Sequence, residues 1–421
     1  MLIMRRIIPK YVIWEVLGNF LLGLFILTFV ILMGRIFQLM DLIVNKGLGL
    51  LHIVNMLWMM LPYLLVFSIP MSLALAIILT LGRASRDYEV VALKASGVSI
   101  YQIIRPIVLF SILMYLVTSY MIMYAAPRNN YNFKEFLVSV VSAQINIALD
   151  EKVFNNINGM IIYIDRIPIS SDHFYGIMIH DDTNLEVELT IIAREGYIIN
   201  DDDSNVTIRM LDANVLLDDK FSDSDKYLAV SSYDLNVDIF GDTDEKGNIR
   251  KKDRERTIDE MFETVDGLEK LLYYYETEYE TPPDNENPYA EKEWIVDDYK
   301  SQIDRRWTDI SERFAIPFAC IVFMLIGIPL GIQTNPRGKS GSLILGLFVL
   351  FIYYIFMAIG EFLGKNGIVP PLYSMWIGNV ILGITGVYML VKTARESPVY
   401  IITLYNDFME IINRIWARLS R

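Results

Sequence analysis

The chain is nearly devoid of cysteine and histidine, with one Cys (Cys320) and three His (His52, His173, His180) among 421 residues. A disulfide framework and a cysteine metal site are both excluded within one chain. Cys320 lies in an apolar run and reads as a small buried hydrophobe. The histidines form no H-E-x-x-H arrangement, and no G-x-S-x-G elbow is present. Two sequences come close to known motifs and fail. Gly338-Lys339-Ser340 resembles the end of a phosphate-binding loop, but the earlier glycine that the loop needs is replaced by Gln333. Asp201, Asp203 and Asn205 have calcium-loop spacing, yet Val206 stands where glycine is required and Asp212 where glutamate is. Basic charge is also lacking in the middle of the chain. Residues 151–305 carry 38 acidic and 16 basic side chains, a net of −22, against +9 for the remainder. Such a segment does not suit nucleic acid, which calls for basic surface.

Apolar residues are abundant. They make up 53% of the chain, above the ~45–50% usual for soluble domains. The excess falls in two blocks, roughly 11–125 and 313–392. A bilayer core of ~30 Å needs ~20 helical residues, and six runs qualify: about 11–43, 52–81, 100–124, 314–332, 343–362 and 373–391. The first is too long for a signal peptide and reads as a retained helix. Pro62 and Pro70 lie inside the second, where they are expected to kink it. Basic residues set the orientation. Arg5, Arg6 and Lys10, then Arg83, Arg86, Lys94 and Arg105, then Arg337 and Lys339, then Lys392 and Arg395 all fall on one side of a six-span chain. That side is expected to be cytoplasmic, which places the acidic middle domain outside.

The middle domain reads as all-β. Short runs rich in β-branched and aromatic residues (GMIIYIDRI, HFYGIMIH, LEVELTIIA, GYIIN, VTIRML, YLAVSSYDLNVDIF) are separated by turn formers. This pattern predicts an antiparallel sandwich, jelly roll or partial barrel. Helix returns at about 257–280 and again from about Tyr289 into the fourth span. The expected division is 1–127 for the first three spans, 128–305 for the β-domain and its helical return, and 306–395 for the last three spans. Residues 396–421 then form an amphipathic tail helix at the cytoplasmic interface or on a partner. The fold class is thus a six-span α-helical membrane protein with an inserted all-β, jellyroll-like domain.

Residues 85–97 between spans two and three predict a short helix. Ser85 suits its cap, Asp87 and Glu89 its first turn, and Gly97 its stop. Val90, Val91 and Leu93 would lie outside the membrane, on a helix that docks on a partner or rests in the interface.

The run R-x-x-E-V-V-A-L-K-A-S-G from Arg86, followed by Arg105-Pro106, resembles the LptF/LptG permease family. Thr257-Ile258-Asp259-Glu260-Met261 is similar to that family's segment after the β-domain. Glu312-Arg313-Phe314, Pro317, Gly327-Ile328-Pro329-Leu330-Gly331, Asn335-Pro336-Arg337-Gly338, Tyr353-Tyr354, Gly360-x-x-x-Gly364, Gly367-x-x-Pro370 and Trp376-x-x-Asn379 agree in order. The likeness covers about residues 5–395, and the Asn-Pro-Arg turn leans toward the LptF branch.

The resemblance implies a non-catalytic inner-membrane subunit of a lipopolysaccharide-exporting ABC transporter, with both termini cytoplasmic and a periplasmic β-jellyroll. It implies a partner permease (LptG or LptF), a dimer of the ATPase LptB that binds ATP and magnesium, and LptC leading to the periplasmic bridge. No cofactor is expected in this chain. Glu89 matches the family's coupling-helix glutamate, with Val90, Val91 and Leu93 expected to fill a groove on the ATPase. Arg35 stands 24 residues after Tyr11, near the outer boundary of the first span, where a charge is costly unless it snorkels or meets a polar ligand such as a lipid phosphate. Lys46, Arg128, Lys134 and Arg313 are further candidates for substrate contact. An ion-coupled secondary transporter and a non-transport membrane scaffold remain as alternatives on the residues alone.

Overall fold

The computed structural model describes residues 4–44, 50–143, 151–157, 160–168, 173–181, 187–200, 206–219, 226–237, 251–277, 279, 288–333 and 339–395. Lys46, the Asn335–Gly338 turn, the Asp201–Asn205 loop and the tail 396–421 lie outside these residues. Among the described residues six helices are long and apolar enough to cross a membrane: Ile8–Phe37, Leu51–Arg86, Ile100–Leu137, Lys292–Gln333, Ile344–Lys365 and Pro371–Ala394. They belong to α1 (Met4–Val44), α2 (Leu50–Arg86), α4 (Ile100–Tyr120) running into α5 (Ala126–Ala143), α7 (Pro288–Gln333), α8 (Lys339–Lys365), and α9 (Pro371–Ser374) with α10 (Ile377–Ala394). A short helix, α3 (Glu89–Ala95), follows α2, and α6 (Ile258–Thr277) precedes α7.

The chain divides into two compact units, Met1–Gly34 with Leu61–Asn129 and Arg256–Arg421, and Arg35–Met60 with Asn130–Glu255. In the first unit the core forms around α2 and α7. Val12, Val16 and Phe20 of α1 join Leu73, Ile77 and Leu81 of α2, Ile103 and Ile107 of α4, and Cys320, Met324 and Ile328 of α7 in one buried cluster. Small residues let these helices approach closely, the usual device where lipid gives no hydrophobic drive between helices. A Cβ on Gly331 would stand 2.7 Å from Leu81 Cβ, and one on Gly327 would stand 3.3 Å from Ile77 Cγ2. Gly364 meets Ser374 and Thr308 in the same way. Asn379 donates to the Ala315 carbonyl at 3.0 Å, and the Tyr353 hydroxyl reaches the same oxygen at 3.4 Å. α2 runs as one helix through Pro62 and Pro70.

The third span contains a π-turn, Met121–Ala125, between α4 and α5, closed by the Ala126 N–H donating to the Met121 carbonyl. Pro127 follows it. In an α-helix its ring would clash with the carbonyl four residues earlier, and the wider turn gives that carbonyl room. Further along, Glu260 Oε2 accepts from the Thr257 backbone N–H at 2.7 Å. This is one half of a capping box and explains why α6 starts where it does. Ile258, Met261 and Val265 then bury against Ile310 of α7, with Met123, Tyr124 and Trp307 alongside.

The second unit holds the β-domain. Among the described residues it is one antiparallel sheet whose neighbours follow chain order: β1 Phe154–Ile157, β2 Met160–Arg166, β3 His173–Asp181, β4 Val187–Asn200, β5 Val206–Asp219 and β6 Lys226–Val237. The LEVELTIIA and GYIIN runs, expected as two strands, form the single strand β4. Its Gly196 is a packing position and not a break, because a Cβ there would collide with Ile177 Cδ1 and crowd the Arg209 carbonyl. VTIRML likewise continues through Asp212 to Asp219.

One line of residues interrupts the alternation in strand after strand. In β3, Ile177 and Ile179 are buried, but across Tyr175 and Gly176 the next buried residue is Phe174. The same doubling occurs at Arg194-Glu195 and at Leu211-Asp212. Gly176 and Asp212 there take positive φ, 64° and 51°. Pairing resumes in register on both sides, with Tyr175↔Glu195 and Ile177↔Ala193 in one ladder and Glu195↔Leu211 and Ala193↔Ala213 in the next. The sheet is therefore creased, not slipped. Its apolar cluster includes Ile162, Ile164, Phe174, Ile177, Ile208 and Met210, with Ile167 just beyond β2 packed against it. Period-two alternation on each side of the crease delivers these side chains to one sheltered face.

Candidate functional site

The junction of α2 and α3 gathers several charged side chains. α2 ends at Arg86, Asp87 and Tyr88 turn the chain, and α3 begins at Glu89. Tyr88 takes a left-handed conformation (φ 60°, ψ 12°) with no side-chain cap. Ser85, expected as that cap, instead donates to the Ile332 carbonyl at 2.8 Å, pinning the end of α2 to the end of α7. The expected stop at Gly97 (φ 82°) is present. Gly97 N–H donates to the Lys94 carbonyl at 2.9 Å and Val98 N–H to the Leu93 carbonyl at 3.0 Å. Those two bonds form a Schellman motif, which satisfies the last carbonyls of a two-turn helix.

The faces of α3 differ from one another. Val90 is 4% exposed and packs into the chain, and Leu93 leans on the buried cluster of the spans. Val91, by contrast, is 58% exposed and the preceding Tyr88 is 74% exposed. Of the three apolar residues expected to face a partner, Val91 alone is turned outward. The left-handed Tyr88 sets this orientation, because it decides which side of the short helix meets the spans.

Glu89 joins a network centred on Arg83. The Arg83 guanidinium holds Glu15 of α1 in a bidentate pair, with Nε on Oε1 and Nη2 on Oε2, the latter at 2.6 Å. Nη2 also donates to the Tyr11 hydroxyl at 2.5 Å. Nη1 donates to Asp87 Oδ2 and to Glu89 Oε1, both at 3.3 Å. The Tyr11 hydroxyl in turn donates to the Glu89 carboxylate at 3.2 Å. One turn further along α1, Asn19 Nδ2 donates to Thr80 Oγ1 at 2.8 Å. Sequence reasoning missed Tyr11, Glu15 and Arg83 as members of this site. The available signal is Glu15, a carboxylate near the start of the first apolar run, which calls for a partner.

The basic candidates for substrate contact are divided between the two units. Arg35 and Lys134 fall in the second unit, Arg128 and Arg313 in the first. Arg35 is half-buried on α1 and Arg128 is exposed on α5. Lys134 is paired with Glu255 at 3.7 Å. Arg313 is 7% exposed, within electrostatic range of Asp309, Glu312 and Glu260. Among the described residues no group of three or more His, Cys, Asp or Glu side chains is placed to hold a metal ion.

Six apolar helices split three and three around an inserted β-sheet, with a short structured helix between the second and third, define a polytopic membrane protein. Residues 10–392 match the family described as lipopolysaccharide export system permease LptF/LptG. The chain belongs to this family, and is as such an inner-membrane permease subunit and not a catalytic enzyme. It is 19% identical over 385 residues to the lipopolysaccharide export system permease protein LptF of Escherichia coli K12, covering 89% of this chain and 92% of that protein. The LptF of Shigella flexneri matches to the same extent. An uncharacterized protein of Rickettsia prowazekii, RP871, is 24% identical over 188 residues, a match that spans about half (52%) of its length and 44% of this chain.

Proposed function

We propose that the chain extracts lipopolysaccharide from the outer leaflet of the inner membrane and passes it through its β-domain to a periplasmic bridge. It would do so beside a partner permease and above a dimer of the ATPase LptB, with LptC receiving the lipid. The observation that carries this reading is α3. It is a short helix with a Schellman stop, outside the apolar runs, with Val91 and Tyr88 turned outward and the Glu89 carboxylate at its start. These features suit docking on a cytoplasmic motor subunit, with Glu89 toward a basic side chain and Val91 in an apolar groove. ATP and magnesium then belong to the partner. The basic clusters at the ends of spans support a reading in which α3 and both termini are cytoplasmic and the β-domain is periplasmic.

For the substrate, Arg128 is the candidate that a lipid phosphate reaches without rearrangement, and Arg35 lies at the boundary depth that suits it. Lys46 remains a candidate from its position in the sequence. Lys134 and Arg313 would first have to leave their present surroundings. The sheltered apolar face of the creased sheet suits acyl chains, and the net charge of −22 over residues 151–305 keeps phosphates outside. Co-purification of the membrane-extracted chain with a P-loop ATPase, and its loss in Val91→Glu, tests the reading. Recovery of the chain without any ATPase, or an undiminished yield from Val91→Glu, refutes it.

A further inference from the structure

Docking and lipid contact leave unexplained why the Arg83 guanidinium is used to completion. It has five N–H donors, and each has a partner in Glu15, Tyr11, Asp87 or Glu89. Glu15 and Tyr11 lie on α1, Asp87 in the turn after α2, and Glu89 on α3. One side chain on α2 thus ties the first span to the helix outside the membrane. The bonds to α1 include those at 2.5 and 2.6 Å, and those toward Asp87 and Glu89 are 3.3 Å. Arg83 is therefore fixed to α1, and Glu89 meets a rigid cation and hydroxyl pair already oriented by Glu15.

The packing of α1 gives this tie a mechanical meaning. The helix is held at the Arg83 end, where Val12, Val16 and Phe20 are buried and Asn19 bonds Thr80. From Leu21 to Phe37 no residue is buried in the chain, although Gly23 lies against Ser72. A helix fastened near one end and loosely packed beyond it turns when the fastened end is pushed. α3 can push as a unit, because its Schellman stop prevents fraying.

We infer that Arg83 is a positioning residue that converts displacement of α3 into a change of tilt of α1, an inference that rests on the reading of α3 as a docking helix. Arginine is required because only its planar fork can hold Glu15 with two bonds while still reaching Glu89. A lysine in its place keeps the charge and loses the fork.

The test uses the full complex, with partner ATPase and partner permease, in phospholipid nanodiscs containing lipopolysaccharide. A spin label at Phe25→Cys, an exposed position on α1, reports the motion, and the native Cys320 is buried. With Arg83 present, ATP and vanadate change the mobility of the label. In Arg83→Gln the change is lost, and in Arg83→Lys it is reduced, with the ATPase still bound at wild-type stoichiometry. A label that ignores nucleotide in the wild-type complex, or one that responds fully in an assembled Arg83→Gln complex, overturns the inference. If Arg83→Gln does not insert, Glu15→Gln is judged by the same criterion, because it removes the charge on α1 that fixes the guanidinium. A wild-type chain that captures no ATPase, or a Val91→Glu chain that captures it undiminished, instead overturns the docking reading beneath.

Discussion

Two neighbouring valines on α3 make opposite demands when each is cut to alanine. Val91 is 58% exposed, so covering it with a partner recovers about 0.9 of the ~1.6 kcal/mol that two methyl groups contribute when fully buried. Val91→Ala should therefore weaken capture of the ATPase about 5-fold and leave the isolated chain as stable as before. Val90 is already 4% exposed in the chain alone. Its truncation leaves a hole beside the spans and costs about 1–3 kcal/mol of local folding free energy, with little direct loss at the docking face. The two effects separate in two measurements. Titration of the detergent-solubilised permease with ATPase reads the first, and hydrogen exchange of the 89–98 amides reads the second. Val90→Ala should speed exchange by about fivefold or more, and Val91→Ala should not. The reasoning fails if Val91→Ala binds within twofold of wild type, or if it is Val91→Ala that loosens the helix.

Three further outcomes follow from geometry. Gly331→Ala puts a Cβ 2.7 Å from that of buried Leu81, and the overpacking should cost about 1–3 kcal/mol, read as a lower midpoint of thermal unfolding in detergent. Glu260→Ala removes the acceptor of the Thr257 N–H and should destabilise the first turn of α6 by about 1 kcal/mol, seen as faster exchange at 258–261 with α7 unchanged. On the sheet, Arg209 Nη2 holds Asp234 across β5 and β6 at 2.6 Å, and this bond keeps the Asp234 carboxyl below its ordinary range. A depressed folded value means that the pair stabilises above the unfolded pKa of about 3.9 and is lost as pH falls through the folded one. Exchange along β6 should accelerate below about pH 4 in the wild type and show no such step in Asp234→Asn.

The spans were legible because a bilayer demands length and apolarity, both of which are local properties of a sequence. The sheet was legible strand by strand, but its strand breaks were not. Gly196 reads as a breaker in isolation, and what makes it part of β4 is the Ile177 side chain from the neighbouring strand occupying its missing Cβ. Several residues that carried the family resemblance proved to be packing or capping positions: Gly327 and Gly331 against α2, Gly364 against Thr308 and Ser374, Asn379 on the Ala315 carbonyl, and Glu260 at the start of α6. At the candidate site, Glu89 and the Gly97 stop were readable from helix-end chemistry. The burial of Val90 was not, because it depends on the left-handed turn at Tyr88. The Arg83 network was hidden for a plainer reason. Its members come from residues 11, 15, 83, 87 and 89, and only the packing of α1 on α2 brings them together.

The π-turn at Met121–Ala125 sets the angular phase of everything beyond it. Each residue of an α-helix advances ~100°, so the extra residue in that turn rotates α5 by roughly this amount relative to an uninterrupted third span. Arg128 points where it does because of that offset. Deleting a single residue between 121 and 125 would leave the composition and the apolar length of the span almost untouched. It would nevertheless swing Arg128 to a different compass bearing. In this chain the face on which Arg128 lies is encoded by one residue of length, inserted just ahead of Pro127.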